Sequence, residues 1–319
     1  AVAGLILLVL LGVQAAGLHF LFAVIIPYAA IITFLAGLYY RVIKWARAPV
    51  PFRIPTTCGQ QKSLPWIKAS RVDNPSGAAG AAVRVALEVL LFRSLFRNTK
   101  AELRDGPKLA YHSDSWLWLV GRVVRWSFFL ILLRHLRSFA EPVPFFVDMI
   151  SGVDGFLRVG LQALYVTDIL LLLAVSYLFV RRVAIPQVRY ISLPADYFPL
   201  FLILSVALTG VLMRYFLRVD IVAVKDLAMG LVTFNPRVPQ GIGLLFHVHL
   251  FLVSVLFAYF PFSKLMHLGG VFLSPTRNLP NDSRERRHEN PWNYPVKVHT
   301  YREYEEEFRK RMVDAGLPV

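Results

Sequence analysis

Long apolar runs alternate along the chain with shorter polar segments. A transmembrane helix needs roughly 20 predominantly apolar residues. Residues 2–17 are apolar almost throughout, and 20–45 follow after a short break at 14–19. Further runs occupy 115–136, 156–180, 197–217 and 242–266, which makes about six predicted spans and an all-α integral membrane fold. The first run is short and lacks a basic flank, and Gln14–Ala16 lets it be read as a signal peptide. A retained span is the preferred reading, because a second hydrophobic helix follows at once.

Between the second and third runs lies a long polar segment, 47–113. Within it, 78–97 carries Val85, Leu87, Val89, Leu90, Leu91, Leu95 and Phe96 against Arg84, Glu88, Arg93 and Arg97. That pattern predicts an amphipathic helix lying in the membrane interface, with a re-entrant seventh span as the alternative. From residue 275 the tail is polar, and 301–313 has helical spacing. Such a tail is either solvated or docked on a cytoplasmic partner. The resulting organisation is an additional N-terminal helix (1–18), a second span (19–46), a basic loop (47–113), a four-helix membrane region (114–268) and a C-terminal tail (269–319). No internal repeat supports an inverted-repeat transporter.

Composition agrees with the pattern. Hydrophobic residues make up 56% of the 319 positions and charged ones 17%, against roughly 25% charged in a soluble domain. A soluble enzyme and a disordered chain are both excluded. The net charge of +15 would point to nucleic acid in a soluble protein, but here the basic residues gather in the 41–108 segment, at Arg181, Arg182 and Arg189, and in the tail. By the positive-inside rule these regions, and both termini, face the cytoplasm across the cell inner membrane. The charge therefore implies membrane lipid and no nucleic acid. Cys58 stands alone, so a disulfide scaffold, a CxxC zinc site and an in-chain iron–sulfur cluster are excluded.

The chemistry then falls to the histidines. His135 ends the third span, His247 and His249 open the sixth, and His267 closes it; His112 precedes the third span on the inner side. At about 100° per residue, 18 residues return His267 to the helical face of His249, with His247 nearly opposite. Two histidines on one stripe near opposite leaflets suit two stacked haems, each needing a second axial ligand from a facing helix. His135 is the natural partner of His249. Interfacial histidines hydrogen-bonded to backbone are the plain alternative.

The run from His249 to Tyr259-Phe-Pro-Phe-Ser-Lys-Leu-Met-His267 resembles the sixth-span signature of the nitrate reductase gamma-subunit family, whose motif ends in Phe-Pro-Phe-Ser-Arg-Leu-x-His. Ala195-Asp196 and Pro27-Tyr28 are also similar. Arg134-His135-Leu136-Arg137, Glu141-Pro142-Val143-Pro144 and Ser274-Pro275-Thr276-Arg277-Asn278 resemble the DsrM-type subfamily, the cytochrome b subunits of the complex associated with dissimilatory sulfite reductase. The resemblance implies a NarI-like cytochrome b bundle with one or two haems b, exchanging electrons with menaquinone. It implies that His135 and His249 hold an outer haem and His267 an inner one.

It also exposes a departure. The family's fourth ligand lies ten residues before His135, where this chain has Arg125. A guanidinium offers iron no lone pair. His112 is the candidate replacement, although a helix from His112 to His135 would span about 34 Å against about 27 Å from His249 to His267; an unwound start near 113–115 would be needed. A five-coordinate inner haem on His267 and the absence of an inner haem are the alternatives. Arg125 itself, mid-span, is expected to pair with Asp168 or to reach a haem propionate. Arg158, with Asp148 and Asp154, is the nearest candidate for the family's quinone site.

The implied partners are a cytoplasmic iron–sulfur subunit like heterodisulfide reductase (DsrK-like), a multihaem cytochrome c, a periplasmic iron–sulfur protein and a second integral membrane subunit. Sulfur chemistry would lie outside this chain. A transporter or proton relay, and a haemless membrane anchor, are the competing classes.

Overall fold

The computed structural model describes residues 1–48, 62, 66, 68–96, 99–106, 108–159, 162–274, 278–282 and 298–319. The N-terminal apolar run forms α1 (Val2–Leu10), which continues through a π-helical turn at Leu11–Ala15. Gly17 then adopts φ +63°, the left-handed region that favours glycine, and the chain doubles back. A second π-helical turn at Leu21–Ile25 leads into α2 (Ile26–Ala46). The two arms meet so closely at Gly12 that an added Cβ would lie 2.4 Å from the Phe22 ring.

The amphipathic segment of the long loop folds as α3 (Ala78–Leu91) and α4 (Arg93–Phe96), broken at Phe92, where φ is +52°. A hairpin follows, β1 (Thr99–Arg104) against β2 (Lys108–Ser113), before α5 (Ser115–His135). Next come α6 (Phe145–Asp154), a short hairpin of β3 (Leu157–Val159) and β4 (Gln162–Leu164), and α7 (Val166–Ala184). Pro186 opens α8 (Pro186–Tyr190), and Pro194 opens α9 (Pro194–Val211), which a π-helical turn extends to Phe216. Asp220 caps α10 (Ile221–Val232) by accepting from the Val222 and Ala223 amides at 2.9 and 3.2 Å.

The sixth apolar run gives α11 (Leu244–Tyr259) and a 3-10 turn at Phe260–Phe262. There the helix breaks. Pro261 lacks an amide proton, Ser263 is extended (φ −105°, ψ 173°), and its hydroxyl accepts from Leu265 N to start another 3-10 turn before α12 (His267–Gly270). The uninterrupted helix assumed between His249 and His267 is thus not present.

Among the described residues, four helices are long and apolar enough to cross a membrane: Leu21–Ala46, Ser115–Ser138, Pro194–Phe216 and Leu244–Phe262. Two of the six expected spans need correction. Val2–Ala15 is a shorter apolar helix. The run at 156–180 begins as a β-hairpin, because its first residues are spent on β3 and β4; α7 starts only at Val166 and includes Asp168, Arg181 and Arg182. Much of the apolar surface faces outward, as at Ile32, Phe129, Leu132 and Leu173, which is what lipid-facing helices require. This is a membrane protein.

The chain divides into two units, residues 1–39 with 86–268, and residues 40–85 with 269–319. In the first, α5 packs on α7, α7 on α9, and α9 on α11, while α1 lies against α11. Val9, Val13, Phe22, Leu202, Phe251 and Leu252 fill its centre. Arg181 pairs with Asp114 at 3.1 Å, joining the end of α7 to the start of α5. In the second unit, the early tail docks on the chain's own loop. Asn281 donates through its amide to the Pro75 carbonyl at 2.7 Å and through Nδ2 to Asn74 Oδ1 at 2.8 Å. Buried Arg84 donates to the carbonyls of Asp73 and Leu279. Further on, α13 (Tyr301–Asp314) begins with a reciprocal cap in which the Thr300 amide and hydroxyl hold the Glu303 carboxyl below its usual range.

Candidate functional site

His135 ends α5 and His249 lies in the second turn of α11. Their rings are 10° from parallel, with centroids 6.5 Å apart. Two imidazoles bound to one metal through nitrogens at about 2.0 Å hold their centroids about 6 Å apart. Each ring is also oriented through Nδ1. His135 Nδ1 is 2.7 Å from the Ile131 carbonyl and His249 Nδ1 is 2.8 Å from Thr209 Oγ1. Thr209 donates its own proton to the Ser205 carbonyl at 2.8 Å, so toward His249 it accepts. Both rings therefore carry their proton on Nδ1 and keep the lone pair on Nε2. This is how second-shell bonds prepare a histidine ligand. Gly210 packs beside the same ring, where an added Cβ would make ordinary van der Waals contact with His249 Cε1 at 3.5 Å. The pair fits a haem.

Beside it sits a buried ionic network. Arg134 Nη2 meets Asp168 Oδ1 at 2.5 Å and Thr167 Oγ1 at 3.2 Å, while Nη1 lies 3.4 Å from Asp154 Oδ2. Tyr215 donates to Asp168 Oδ2 at 3.1 Å and accepts from the Tyr165 amide. Asp154 also receives the Thr167 amide and hydroxyl at 2.9 and 2.6 Å. The Tyr165 ring lies under two guanidiniums, Arg134 at 3.7 Å and Arg214 at 3.9 Å. A buried cation needs such partners to offset its desolvation.

The expected Arg125–Asp168 pair is accordingly corrected. Asp168 stands in the first turn of α7, level with Arg134 in the last turn of the antiparallel α5. Arg125 is nine residues, about 14 Å, farther along α5. There its Nη2 is 3.0 Å from His267 Nε2, and its guanidinium lies 4.1 Å from the centre of the Phe92 ring.

The remaining candidates scatter. His112 is exposed on β2, in register with Lys100; the segment leading into α5 is strand up to Ser113 rather than an unwound helix start. Arg158 is exposed on β3 opposite Ala163. Asp148 pairs with Arg137 at 3.0 Å on the surface, whereas Asp154 is buried in the Arg134 network. His247 is fully buried and meets His19 edge to face at 5.3 Å, away from the His135 side of the helix.

All of the candidate ligands fall within residues 110–281, the segment matched by the family model of the nitrate reductase gamma subunit. The chain belongs to that family. Its similarity to individual relatives covers more of the chain. It is 45% identical over 279 residues to the Hdr-like menaquinol oxidoreductase cytochrome b-like subunit of Archaeoglobus fulgidus, covering 85% of this chain and 83% of the relative. The protein of the same description from Archaeoglobus profundus is 41% identical over 274 residues, covering 84% and 81%. Thr209 and Tyr215 are residues that sequence reasoning passed over, and Arg134 entered it only as part of a family motif. Arg134 carried one legible signal, a charge adjoining His135 inside an apolar run.

Proposed function

We propose that this chain is the membrane cytochrome b subunit of a quinone-linked oxidoreductase complex, exchanging electrons between menaquinol and a cytoplasmic iron–sulfur subunit. The observation that carries this is the near-parallel pair of rings at His135 and His249, each hydrogen-bonded through Nδ1. The descriptions of the two Archaeoglobus relatives support the quinone link.

A haem held between these two imidazoles would supply a one-electron carrier. The protein supplies everything else. His135 and His249 are the residues that would hold the haem. The Ile131 carbonyl and the Thr209 hydroxyl fix the tautomer and orientation of each ring and raise its basicity. The Arg134–Asp168–Asp154 network pins the His135 end of α5 against α7. Exposed Arg158, at the same end of the chain's fold as Tyr165, is the candidate for contacting quinol.

The narrower placement among DsrM-type subunits, serving dissimilatory sulfur metabolism, rests on the residues around Arg134, Glu141 and Ser274. A cytoplasmic location for both termini, in the cell inner membrane, rests on the basic segments at 41–108, 181–189 and the tail. Membranes carrying the complex test the reading directly. A reduced menaquinone analogue should raise a b-type α-band. A band that dithionite reduces and quinol does not would break the quinone link; no band at all would leave a haemless anchor or a transporter.

A further inference from the structure

At His267 both ring nitrogens are already engaged. Nδ1 lies 2.7 Å from the Lys264 carbonyl, and Nε2 lies 3.0 Å from Arg125 Nη2. A carbonyl only accepts, so the ring proton is on Nδ1; a guanidinium only donates, so the lone pair on Nε2 receives it. One neutral tautomer satisfies every group. The pattern at His135 and His249 differs, since the hydrogen bonds there use Nδ1. At His267 the lone pair that a metal would need is the one Arg125 occupies.

Arg125 is held in place from its other side. Its guanidinium lies 4.1 Å from the centre of the Phe92 ring, at a distance where a cation is attracted to an aromatic face. Phe92 is the left-handed residue that turns α3 into α4. Two indoles on α5 tie that corner down, Trp118 Nε1 to the Leu91 carbonyl at 2.7 Å and Trp126 Nε1 to the Leu90 carbonyl at 3.2 Å. Glu88 closes the break by accepting from Ser94 N and Oγ at 2.9 and 2.7 Å. Lys264, whose carbonyl receives His267, reaches Asp196 Oδ1 at 2.6 Å on α9. Both partners of the pair are thus anchored, Arg125 against the α3–α4 corner and the Lys264 side of His267 against α9.

We infer that the His267 end of the bundle carries a guanidinium–imidazole pair in place of a second haem, so that the chain binds one haem, at His135 and His249. This rests on the haem reading of that pair. Arg125 is then a positioning residue for His267, and His112, on its hairpin, serves no iron.

The test is pyridine-haemochrome stoichiometry on the purified full-length chain, with protein measured by amino-acid analysis. The wild type should hold one haem per chain. His267→Ala and Arg125→Ala should each keep that haem with an unchanged b-type spectrum, and His249→Ala should lose it. Two haems in the wild type, or loss of haem in His267→Ala that remains folded by circular dichroism, overturns the inference while leaving the His135–His249 reading intact. Complete absence of haem from the wild type overturns both. The wild-type stoichiometry decides the matter even where a variant fails to fold.

Discussion

The imidazoles of His135 and His249, carried by different helices, stand 6.5 Å apart between centroids and 10° from parallel. Nothing within either helix produces that relationship. It depends on α5 and α11 converging where α9 offers a hydroxyl and a glycine, Thr209 and Gly210, to the second ring.

Thr209 therefore controls how well His249 is aimed. Thr209→Val removes the acceptor of the Nδ1 proton while keeping the shape of the side chain. Haem should still bind, with affinity reduced by about 10–100-fold, and Thr209→Ser should restore most of it. The rate of haem transfer to excess apomyoglobin measures the difference.

Arg134 neutralises two buried carboxylates at once. Arg134→Ala leaves both without their cation and should destabilise the fold by about 3–5 kcal/mol. Tyr215→Phe removes only one donor from Asp168 and should cost about 1 kcal/mol. Thermal unfolding in detergent ranks the two variants, and equal effects would show that the network is not organised around Arg134.

Gly12 is set by contact with Phe22 rather than by backbone conformation. Gly12→Ala should destabilise by about 1–3 kcal/mol through overpacking. Combining it with Phe22→Leu should recover part of that loss, because the ring is what the new methyl meets. A double-mutant cycle on thermal stability reads the coupling.

Within the second unit, Arg84 joins the loop carbonyl of Asp73 to the tail carbonyl of Leu279. Arg84→Ala should release residues 278–282, seen as faster amide exchange at Asn281, whose amide is bonded to Pro75. Exchange in α13 should be unchanged.

Much of this architecture was legible before the structure. The spans around α2, α5, α9 and α11 follow from unbroken apolar length, and α13 from its helical spacing. The amphipathic segment predicted at 78–97 is helical over its described residues, 78–91 and 93–96, with Arg97 outside them, but only the structure shows the left-handed break at Phe92. Hydropathy overran at 156–180, because Phe156, Leu157 and Val159 are as apolar as helix residues and nothing local marks them as hairpin. The same error misplaced Asp168: with α7 starting at Val166, its carboxylate falls beside Arg134, not Arg125. Spacing placed His267 on the stripe of His249, yet Pro261 and Ser263 interrupt that helix. The pairing of Arg125 with His267 needs two elements 142 positions apart, and no sequence period encodes it.

The most direct test of the account is the dithionite-reduced minus oxidised spectrum of the purified chain, compared with His135→Ala and His249→Ala variants. The wild type should show a low-spin b-type α-band and both variants should lose it, with helical content by circular dichroism unchanged. A wild-type chain without that band, or a band that survives in both folded variants, would contradict it.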